Sequence, residues 1–350
     1  MTQFHRPLLT IAIPTYNRAP FLRELLEVLV PQLVGGSEIE LIISNNCSPD
    51  QTHEVIEEFL GMDPRIRYVR NTENIGSDNN FIQCFNLATG RFFLLLGDDD
   101  ILMPGSISKI LSVLRSHDPD IVYLSSSAFT TDYRMQTRPD PYGRGYRVFS
   151  DEVQFAKLVN MMFVFISCII VNRDRVVESN SPPIELARGS ALIQLSWILP
   201  LFHDHRSSVC IFERLLAGRT DNGGYFNIAT VAGVNLPREA SRHLGKDSPI
   251  VRSLISAALR RWFPTELYSL RRRGLIEELA KVAKILDAEF GSNATYWLFS
   301  KPMFWLPLWL ARNWLAATRF LNKILYVANI PDYWRSRPLE VNSSVHGTGC

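Results

Sequence analysis

The stretch Phe92-Phe93-Leu94-Leu95-Leu96-Gly97-Asp98-Asp99-Asp100 gives the strongest indication of what this 350-residue chain folds into. Its five consecutive apolar residues predict a strand that is buried on both faces. Three carboxylates follow after one glycine, and carboxylates clustered at the end of a core strand repel one another unless a cation neutralises them. Oxygen ligands of this kind suit Mg²⁺ or Mn²⁺. The alternative is a solvated turn after the strand. The neighbouring segments of the sequence distinguish between these two interpretations.

The composition of the chain bears on three questions: its partners, its redox compartment and its secretion. The net charge is +2 and no long basic block occurs, so nothing argues for a nucleic-acid partner. The five cysteines are scattered and no pair has the spacing of a zinc or redox site, which favours a reduced, cytoplasmic chain. The first residues show no signal-peptide pattern, so we do not expect secretion.

Strands and helices alternate through the first 127 residues. The apolar patterns predict strands at 8–13, 40–44, 66–69, 92–96 and 121–124. They predict helices at 18–33, 50–60, 77–88 and 104–114. This alternation indicates an α/β fold with a mostly parallel sheet flanked by helices. Residues 128–150 indicate a loop-rich connection, and from Val153 onward the pattern is helical except for one candidate strand at 168–171.

Three further polar segments follow the first three predicted strands. They are Pro14-Thr15-Tyr16-Asn17-Arg18, Ser44-Asn45-Asn46-Cys47-Ser48-Pro49-Asp50 and Asn74-Ile75-Gly76-Ser77-Asp78-Asn79-Asn80. Ordinary turn chemistry explains each of them singly. The carboxyl ends of parallel strands meet at one edge of a sheet, so together with the three carboxylates they predict a ligand site there.

With these four segments in this order, the first 125 residues resemble glycosyltransferase family 2, the nucleotide-sugar-dependent transferases with a GT-A fold. The resemblance implies a GT-A-like mixed sheet, a nucleoside diphosphate sugar donor and a divalent metal on its diphosphate. Asp98 and Asp100 would bind the metal, with Asp100 the leading ligand. The residues expected to bind the nucleotide sugar are Pro14, Thr15, Tyr16, Asn17, Arg18, Asn45, Asp50, Asn74, Gly76, Asp98 and Asp99.

Asn45 departs from the pattern of the family, in which many members have aspartate at the matching position. A carboxylate only accepts hydrogen bonds, whereas an amide both donates and accepts. One hypothesis is therefore a cytosine base in the donor instead of uracil. The alternative is that Asn45 accepts as the acid would, or only shapes a turn.

The catalytic base is not evident, because the Glu-Asp pair that inverting members carry downstream of the metal motif is missing here. Asp204, between His203 and His205, and Glu185 are the candidates. The segment 189–197 lies where the pair is expected, and it is similar to abequosyltransferase-like members, which build O-antigen side branches. Whether transfer inverts or retains the anomeric configuration stays open.

Residues 296–328 are unusually aromatic, and Arg312, Arg319 and Lys323 share one face of a predicted helix. Cations and two prolines interrupt the apolar run, so the pattern is typical of a helix lying in a membrane interface and not of one that spans it. The alternative is packing on the protein or on another subunit. The resemblance implies a saccharide or polyprenyl-linked acceptor of bacterial surface polysaccharide synthesis, at the inner face of the cytoplasmic membrane.

We therefore predict three regions. Residues 1–235 form a GT-A-like domain, with a nucleotide-binding half at 8–127 and an acceptor half at 128–235. Residues 236–335 form a helical, membrane-associating region, and 336–350 a flexible tail. A Gly-rich loop at 219–225 has two interpretations, a loop that closes over the diphosphate and a plain surface turn. The rival interpretations are a nucleotidyltransferase and a non-catalytic nucleotide-sugar-binding module.

Overall fold

The computed structural model describes residues 6–33, 38–136, 145–220 and 229–328. Within these ranges a nine-stranded mixed sheet forms the centre of the molecule. Its strands are β1 (Leu9–Thr15), β2 (Ile39–Asn45), β3 (Ile66–Arg70), β4 (Phe92–Leu95), β5 (Ile101–Leu102), β6 (Ile121–Phe129), β7 (Tyr146–Phe149), β8 (Ile169–Asn172) and β9 (Ser208–Arg219). They are ordered β3-β2-β1-β4-β8-β6-β9-β5, with β7 also paired to β9.

The strand directions are those of a mixed, mostly parallel sheet. Strands β1 to β4 run in parallel, and β8 pairs antiparallel with both β4 and β6. Strand β9 is parallel to β6, whereas β5 and β7 pair with β9 in the antiparallel sense. The predicted fold class is therefore confirmed.

Helices cover the sheet and then form a separate layer toward the C-terminus. Those of the first half are α1 (Ala19–Leu29), α2 (Thr52–Leu60), α3 (Ser77–Leu87), α4 (Ser106–His117) and α5 (Tyr133–Gln136). Those that follow are α6 (Glu152–Val159), α7 (Arg173–Glu178), α8 (Leu195–Ile198), α9 (Leu236–Leu244), α10 (Pro249–Ala257), α11 (Phe263–Arg272), α12 (Ile276–Phe290) and α13 (Leu308–Ala328). Short 3₁₀ and π turns connect several of them.

Strand β1 is a core strand of the first half of the chain, because every one of its residues is buried between β2 and β4. Pro14 lies within it although proline lacks a backbone N–H. Pairing between β1 and β4 ends at Ala12 and Leu95, so no ladder hydrogen bond is lost at Pro14. The predicted strand boundary at Ile13 was therefore two residues short.

The structure corrects the prediction that only one strand follows Val153, because β9 is a twelve-residue strand in that region. Glu213 and Arg214 interrupt its apolar pattern, and the register of β9 against β6 shifts between Leu124 and Ser126. The alternation of apolar and polar residues that is typical of a strand is therefore absent from the sequence. Strand β7 likewise lies in the connection predicted to be loop-rich.

Two hydrophobic cores organise the described residues. The first surrounds the sheet and includes Leu236 of α9 and Leu254 of α10, so these helices belong with the sheet although they lie beyond residue 235. The second core joins α11, α12 and α13 and includes Ala229. Residues 329–350, with the predicted tail, lie outside the described part of the chain. Among the described helices, none combines the length and the apolar content that crossing a bilayer requires.

Helix α13 packs on α11 through a face that includes two polar residues. Its buried residues are Ala311, Leu315, Thr318 and Asn322. Of the other leucines of this helix, Leu310 is half-buried and Leu321 is exposed. The arginines Arg312 and Arg319 are exposed beside the packed face.

Candidate active site

The four polar segments lie together at one edge of the sheet, at the carboxyl ends of β3, β2, β1 and β4. The turn that follows β4, residues 97–100, is closed by a 3.2 Å hydrogen bond from the Asp100 N–H to the Gly97 carbonyl. We call this turn the acid tip. Asp99 and Asp100 are buried in it, and Asp98 is half-buried. Core packing of β4 therefore holds three carboxylates at the rim of the sheet.

Ser167 supports the acid tip from the second half of the chain. Its hydroxyl accepts the Gly97 N–H at 2.9 Å and donates to Asp100 Oδ2. It is fully buried two residues before β8, the antiparallel neighbour of β4. A side chain at Gly97 would displace Asp100 or Ser167, because its Cβ would lie 2.9 Å from Asp100 Oδ2 and 3.2 Å from the Ser167 hydroxyl. The turn is thus fixed on its inner side.

Two guanidinium groups flank the acid tip. Arg18 forms an ion pair with Asp99, with 3.0 Å between Nη1 and Oδ2. Arg219, the last residue of β9, donates its backbone N–H to Asp100 Oδ1 at 3.0 Å, and its side chain forms an ion pair with Glu24. Arg219 begins the loop at 219–225 that the sequence predicted near the diphosphate. Ser167 was not singled out from the sequence, because it reaches the tip only through the pairing of β8 with β4.

The electrostatics of the acid tip favour a cation. Burial, and next the negative charge of Asp99, raise the pKa of both Asp98 and Asp100 to about 7. The hydrogen bonds that Asp100 accepts from Ser167 and the Arg219 N–H oppose this rise without cancelling it. Two carboxyl groups with such pKa values near one ion-paired aspartate are unusual in a purely structural turn.

The donor set fits a divalent cation. In the described part of the site, the three carboxylates of the acid tip and that of Glu24 outnumber the guanidinium groups of Arg18 and Arg219 by two when all are ionised. Carboxylate oxygens are the ligands that Mg²⁺ and Mn²⁺ prefer. Within the described ranges, no three His, Cys, Asp or Glu side chains are grouped so as to hold a metal ion among themselves.

Asn45 is fully buried at the end of β2, and both ends of its amide have partners within the protein. Its Oδ1 accepts the Ser48 N–H at 2.9 Å, and its Nδ2 donates to the Tyr68 hydroxyl at 3.1 Å. His53 Nδ1 lies 3.1 Å from the same hydroxyl. Asn45 thus supports the turn after β2 through both ends of its amide, and its contact with a base stays a prediction.

The segment after β1 lies against the segment after β2. Pro14 and Thr15 end β1, and Tyr16 beyond them is 44 % exposed. Asn17 adopts a positive φ of 56° and donates its N–H to Ser48 Oγ at 3.0 Å. A positive φ is uncommon outside glycine, and asparagine tolerates it best. The chain therefore turns sharply between β1 and α1, which brings Arg18 to the acid tip.

Asp50 supports two helix starts. Its Oδ2 accepts the Ala19 N–H at 3.0 Å at the beginning of α1, and its Oδ1 accepts from the Thr52 hydroxyl at 2.6 Å. Burial alone would raise its pKa, but these hydrogen bonds prevail and the pKa of Asp50 is lowered. Asp50 is therefore a charged helix cap close to the predicted nucleotide pocket.

The loop after β3 is held by side-chain amides. Asn46 Nδ2 donates to Asn74 Oδ1 at 2.8 Å, and Asn46 Oδ1 accepts the Ile75 N–H at 3.0 Å. Asn74 Oδ1 also accepts the N–H of Gly76, whose φ is 82°. A Cβ placed on Gly76 would meet nothing within 4 Å, so the loop faces open space there.

A cavity of about 540 Å³ lies between the two cores, near the acid tip. Its wall includes Phe165, whose ring lies 3.0 Å from the position that a Cβ on Gly218 would take, and Asp100 Oδ1 is 3.7 Å from that same position. The polar groups of its lining are Glu266, Arg273 and Glu278. The apolar part of the lining is Met161, Met162, Val164, Phe165, Ala191, Leu192, Ala229, Val231, Trp262, Phe263, Leu267, Leu270 and Val282.

The structure does not bring Asp204 to this site. Its side chain is 89 % exposed and lies 3.2 Å from Arg175, which also pairs with Asp120. The Asp120 carbonyl accepts the Asn172 N–H, and Asn172 pairs with Phe92 at the start of β4. Asp204 is therefore connected to the start of β4, whereas the acid tip follows the end of that strand. Glu185 is exposed in a 3₁₀ turn. Of the loop at 219–225, only residues 219 and 220 belong to the described part.

Comparison with known proteins accounts for this arrangement. Residues 10–177 match the model of the family "Glycosyl transferase family 2". The chain carries a glycosyl transferase family 2 domain. The resemblance predicted from the four polar segments is thereby confirmed, and with it a domain of the glycosyltransferase class.

Two glycosyltransferases with assigned names are similar to about a third of the chain. Abequosyltransferase RfbV of Salmonella typhimurium is 37% identical over 110 residues, which is 31% of this chain and 33% of the relative. The GalNAc(5)-diNAcBac-PP-undecaprenol beta-1,3-glucosyltransferase of Campylobacter jejuni is 30% identical over 106 residues, 30% of this chain and 34% of the relative. The matches thus span about a third of the length of these relatives.

One solved structure is similar over almost the whole chain. The crystal structure of S. aureus TarS 1–349 in complex with UDP-GlcNAc superposes with a TM-score of 0.57, covering 91% of both chains at 16% identity. At this identity the likeness shows the fold alone, and it extends through the helical layer that the family model does not reach.

Proposed function

We propose that this protein transfers a sugar from a nucleoside diphosphate sugar to a saccharide acceptor carried on a lipid. The acid tip carries the proposal, because it brings together three carboxylates, two of them with a raised pKa, at the carboxyl ends of the parallel strands. The segments around it come from the ends of three neighbouring strands, and the family 2 domain covers them all.

The chemistry follows from the charges at the tip. As the glycosidic bond breaks, the departing nucleoside diphosphate gains negative charge. A divalent cation held by Asp98 and Asp100 would stabilise that charge when bound. Arg18 and Arg219 supply guanidinium groups at the same rim, suited to phosphate oxygens, while Ser167 keeps Asp100 in a single orientation.

The cavity between the two cores is our proposed acceptor site. Phe165 connects this cavity to the acid tip, and the mostly apolar lining includes three aromatic rings and three charged side chains, which can contact the apolar faces and the hydroxyl groups of a sugar. The acceptor hydroxyl must lose a proton during transfer. We propose that Glu266 or Glu278 receives it, since these are the carboxylates of the lining, and burial raises the pKa of Glu266.

A lipid-linked acceptor would bring the enzyme to a membrane surface. Seven of the fourteen exposed large apolar residues in the described part of the chain lie between residues 297 and 321. They are Trp297, Leu298, Trp305, Leu308, Trp309, Phe320 and Leu321. Trp and Phe beside arginines are typical of a helix in the headgroup region. The C. jejuni relative, by its name, acts on a saccharide joined to undecaprenol by a diphosphate. We propose peripheral binding at the cytoplasmic face, in the synthesis of an O-antigen-like polysaccharide.

Ligand-induced thermal shift tests the donor site first. UDP and CDP are added to the purified protein with Mn²⁺ or with EDTA, and either nucleotide should raise the melting temperature only with the metal. Asp100→Asn should remove this shift, while Asp247→Asn, which removes an exposed aspartate between α9 and α10, should keep it. A shift that survives in Asp100→Asn would refute the assignment of the metal to the acid tip.

Release of free sugar from a nucleoside diphosphate sugar separates a transferase from a silent binding module. We expect slow hydrolysis by the wild type and none by Asp100→Asn. With an acceptor, Glu266→Gln and Glu278→Gln are compared, and the variant that lacks the base should lose about 10²–10⁴-fold in kcat while retaining the nucleotide shift. Full activity in both variants would exclude the cavity carboxylates as the base.

A further inference from the structure

A second concave surface lies between α11 and α13, on the side of the helical layer that bears the exposed aromatic residues. It is a groove of about 800 Å³. Four arginines line it, and they come from two helix regions that meet there. Its lining is Thr265, Tyr268, Ser269, Arg272, Arg273, Arg312, Leu315, Ala316 and Arg319. No acidic residue is part of this lining, so we call it the arginine groove.

The guanidinium groups of this groove are available to a ligand. Among the described residues, the side chains of Arg272, Arg312 and Arg319 form no hydrogen bond and no ion pair, and Arg273 interacts electrostatically with Glu266. The neighbouring Arg271 differs, since it donates to the Met303 carbonyl at 2.7 Å and so fixes the fold. Like charges held this close on packed helices repel one another unless an anion neutralises them.

The position of the arginine groove indicates what kind of anion it takes. Arg273 lines both this groove and the proposed acceptor cavity, so the two spaces share a wall. On α13, Trp309 and Phe320 are 66 % and 68 % exposed next to the arginines. Aromatic residues of this kind anchor at the headgroup level of a bilayer. The groove therefore lies between a membrane-facing surface and the cavity beside the acid tip.

We propose that the arginine groove binds the diphosphate of the lipid-linked acceptor, while the saccharide of that acceptor occupies the neighbouring cavity. This inference rests on the proposed function. A diphosphate offers several oxygens to paired guanidinium groups, which bind such anions in bidentate geometry. Its lipid would leave toward Trp309 and Phe320, and its sugar would extend past Arg273 toward the acid tip. The groove thereby sets which end of the acceptor enters the cavity.

Farnesyl diphosphate serves as the probe, because it carries the diphosphate and an isoprenoid without a sugar. Binding to the full chain is measured by isothermal titration in EDTA, so that the proposed metal-dependent donor site does not contribute. We expect Arg312→Gln/Arg319→Gln to weaken binding by about tenfold or more, since each arginine contributes charge-assisted hydrogen bonds. The matched control is Lys281→Gln/Lys284→Gln, which removes two exposed cations of α12 outside the groove and should bind as the wild type does.

Three outcomes would overturn the proposal. One is equal affinity for farnesyl diphosphate in the arginine double variant and the wild type. Another is binding of farnesol as tight as that of farnesyl diphosphate, since the diphosphate would then contribute nothing. The third is groove-dependent binding to vesicles of phosphatidylcholine with phosphatidylglycerol but none to farnesyl diphosphate, which would make the groove a contact for bulk anionic lipid.

The Mn²⁺-dependent nucleotide shift is measured on the same variants and separates this inference from the proposed function. We expect the shift to be intact in Arg312→Gln/Arg319→Gln, because neither arginine lies at the acid tip. If the wild type shows no nucleotide shift but binds farnesyl diphosphate through the groove, the donor assignment fails and the anion site stands. If the reverse is found, the donor assignment stands and the groove proposal fails.

Discussion

Replacing Asp100 with asparagine is expected to stabilise the metal-free protein at pH 8, although the same change should destroy the proposed metal site. The pKa of Asp100 is raised from 3.8 to about 7, first by burial and then by the charge of Asp99. Between these two pH values the folded protein binds more protons than the unfolded chain, so the free energy of unfolding falls as the pH rises through this window.

The structure sets the size of this effect. At ~1.4 kcal/mol per pH unit, the raised pKa of Asp100 corresponds to a loss on the order of 4 kcal/mol by pH 8. Asparagine keeps the geometry, because its Oδ1 can accept the Arg219 N–H and its Nδ2 can donate to the Ser167 hydroxyl. A buried amide still costs desolvation, so we expect a net gain of about 2 kcal/mol at pH 8 and little at pH 5.

Urea denaturation in EDTA at pH 5 and pH 8 measures the effect, with Asp247→Asn as the control for loss of an exposed carboxylate. With Mn²⁺ and a nucleoside diphosphate the order should reverse, because the wild type alone gains binding energy from the ligand. The reasoning predicts that the charge of Asp100 destabilises the fold at pH 8 when no cation neutralises it. It would be refuted if Asp100→Asn were less stable than the wild type at pH 8 in EDTA, or if the difference in free energy of unfolding were equal at both pH values.

Three further predictions concern the acid tip, the start of β4 and the exposed surface of α13. Ser167→Ala should lower the free energy of unfolding by about 1–3 kcal/mol in urea denaturation, because the buried Gly97 N–H loses its acceptor. Gly90→Ala should lower it by about 2 kcal/mol or more, since its Cβ would lie 2.6 Å from the Thr10 backbone nitrogen; an unchanged midpoint would contradict this. Trp309→Ser should reduce co-sedimentation with phosphatidylglycerol vesicles and leave the melting temperature unchanged, whereas equal sedimentation would argue against membrane contact.

The donor half of the site could be predicted because its signals are local. Strands β1 to β4 are short, apolar and bounded by turn residues, and each polar segment follows directly in sequence. Parallel pairing then forces the segments to one edge, whatever the details of packing. The order and type of the strands, both readable from local patterns, were enough to place Arg18 close to the three carboxylates, and the ion pair with Asp99 agrees with that placement.

The acceptor half was less predictable because its signals are long-range. Strand β9 carries polar residues in mid-strand and a register shift, so its pattern does not have the period of a strand. Ser167 precedes an antiparallel strand whose partner β4 lies more than seventy residues away in sequence. The packed face of α13 includes Thr318 and Asn322, which no hydrophobic pattern would select. Without these contacts, the sequence indicated Asp204, an acid that lies beyond the opposite end of β4.

The acid tip therefore belongs to both halves of the domain. Its backbone comes from the turn after β4, but the hydroxyl that fixes Asp100 comes from Ser167 and the second hydrogen bond from Arg219. Strand β8 also covers the edge of β4 that would otherwise be unpaired. The proposed donor site is thus complete only when residues 167 and 219 have folded onto it, and the wall of the proposed acceptor cavity at Phe165 is only two residues from Ser167. A shift of that wall when an acceptor binds would reach Asp100 through one hydroxyl, which gives a short physical route by which acceptor binding can adjust the geometry of the donor site.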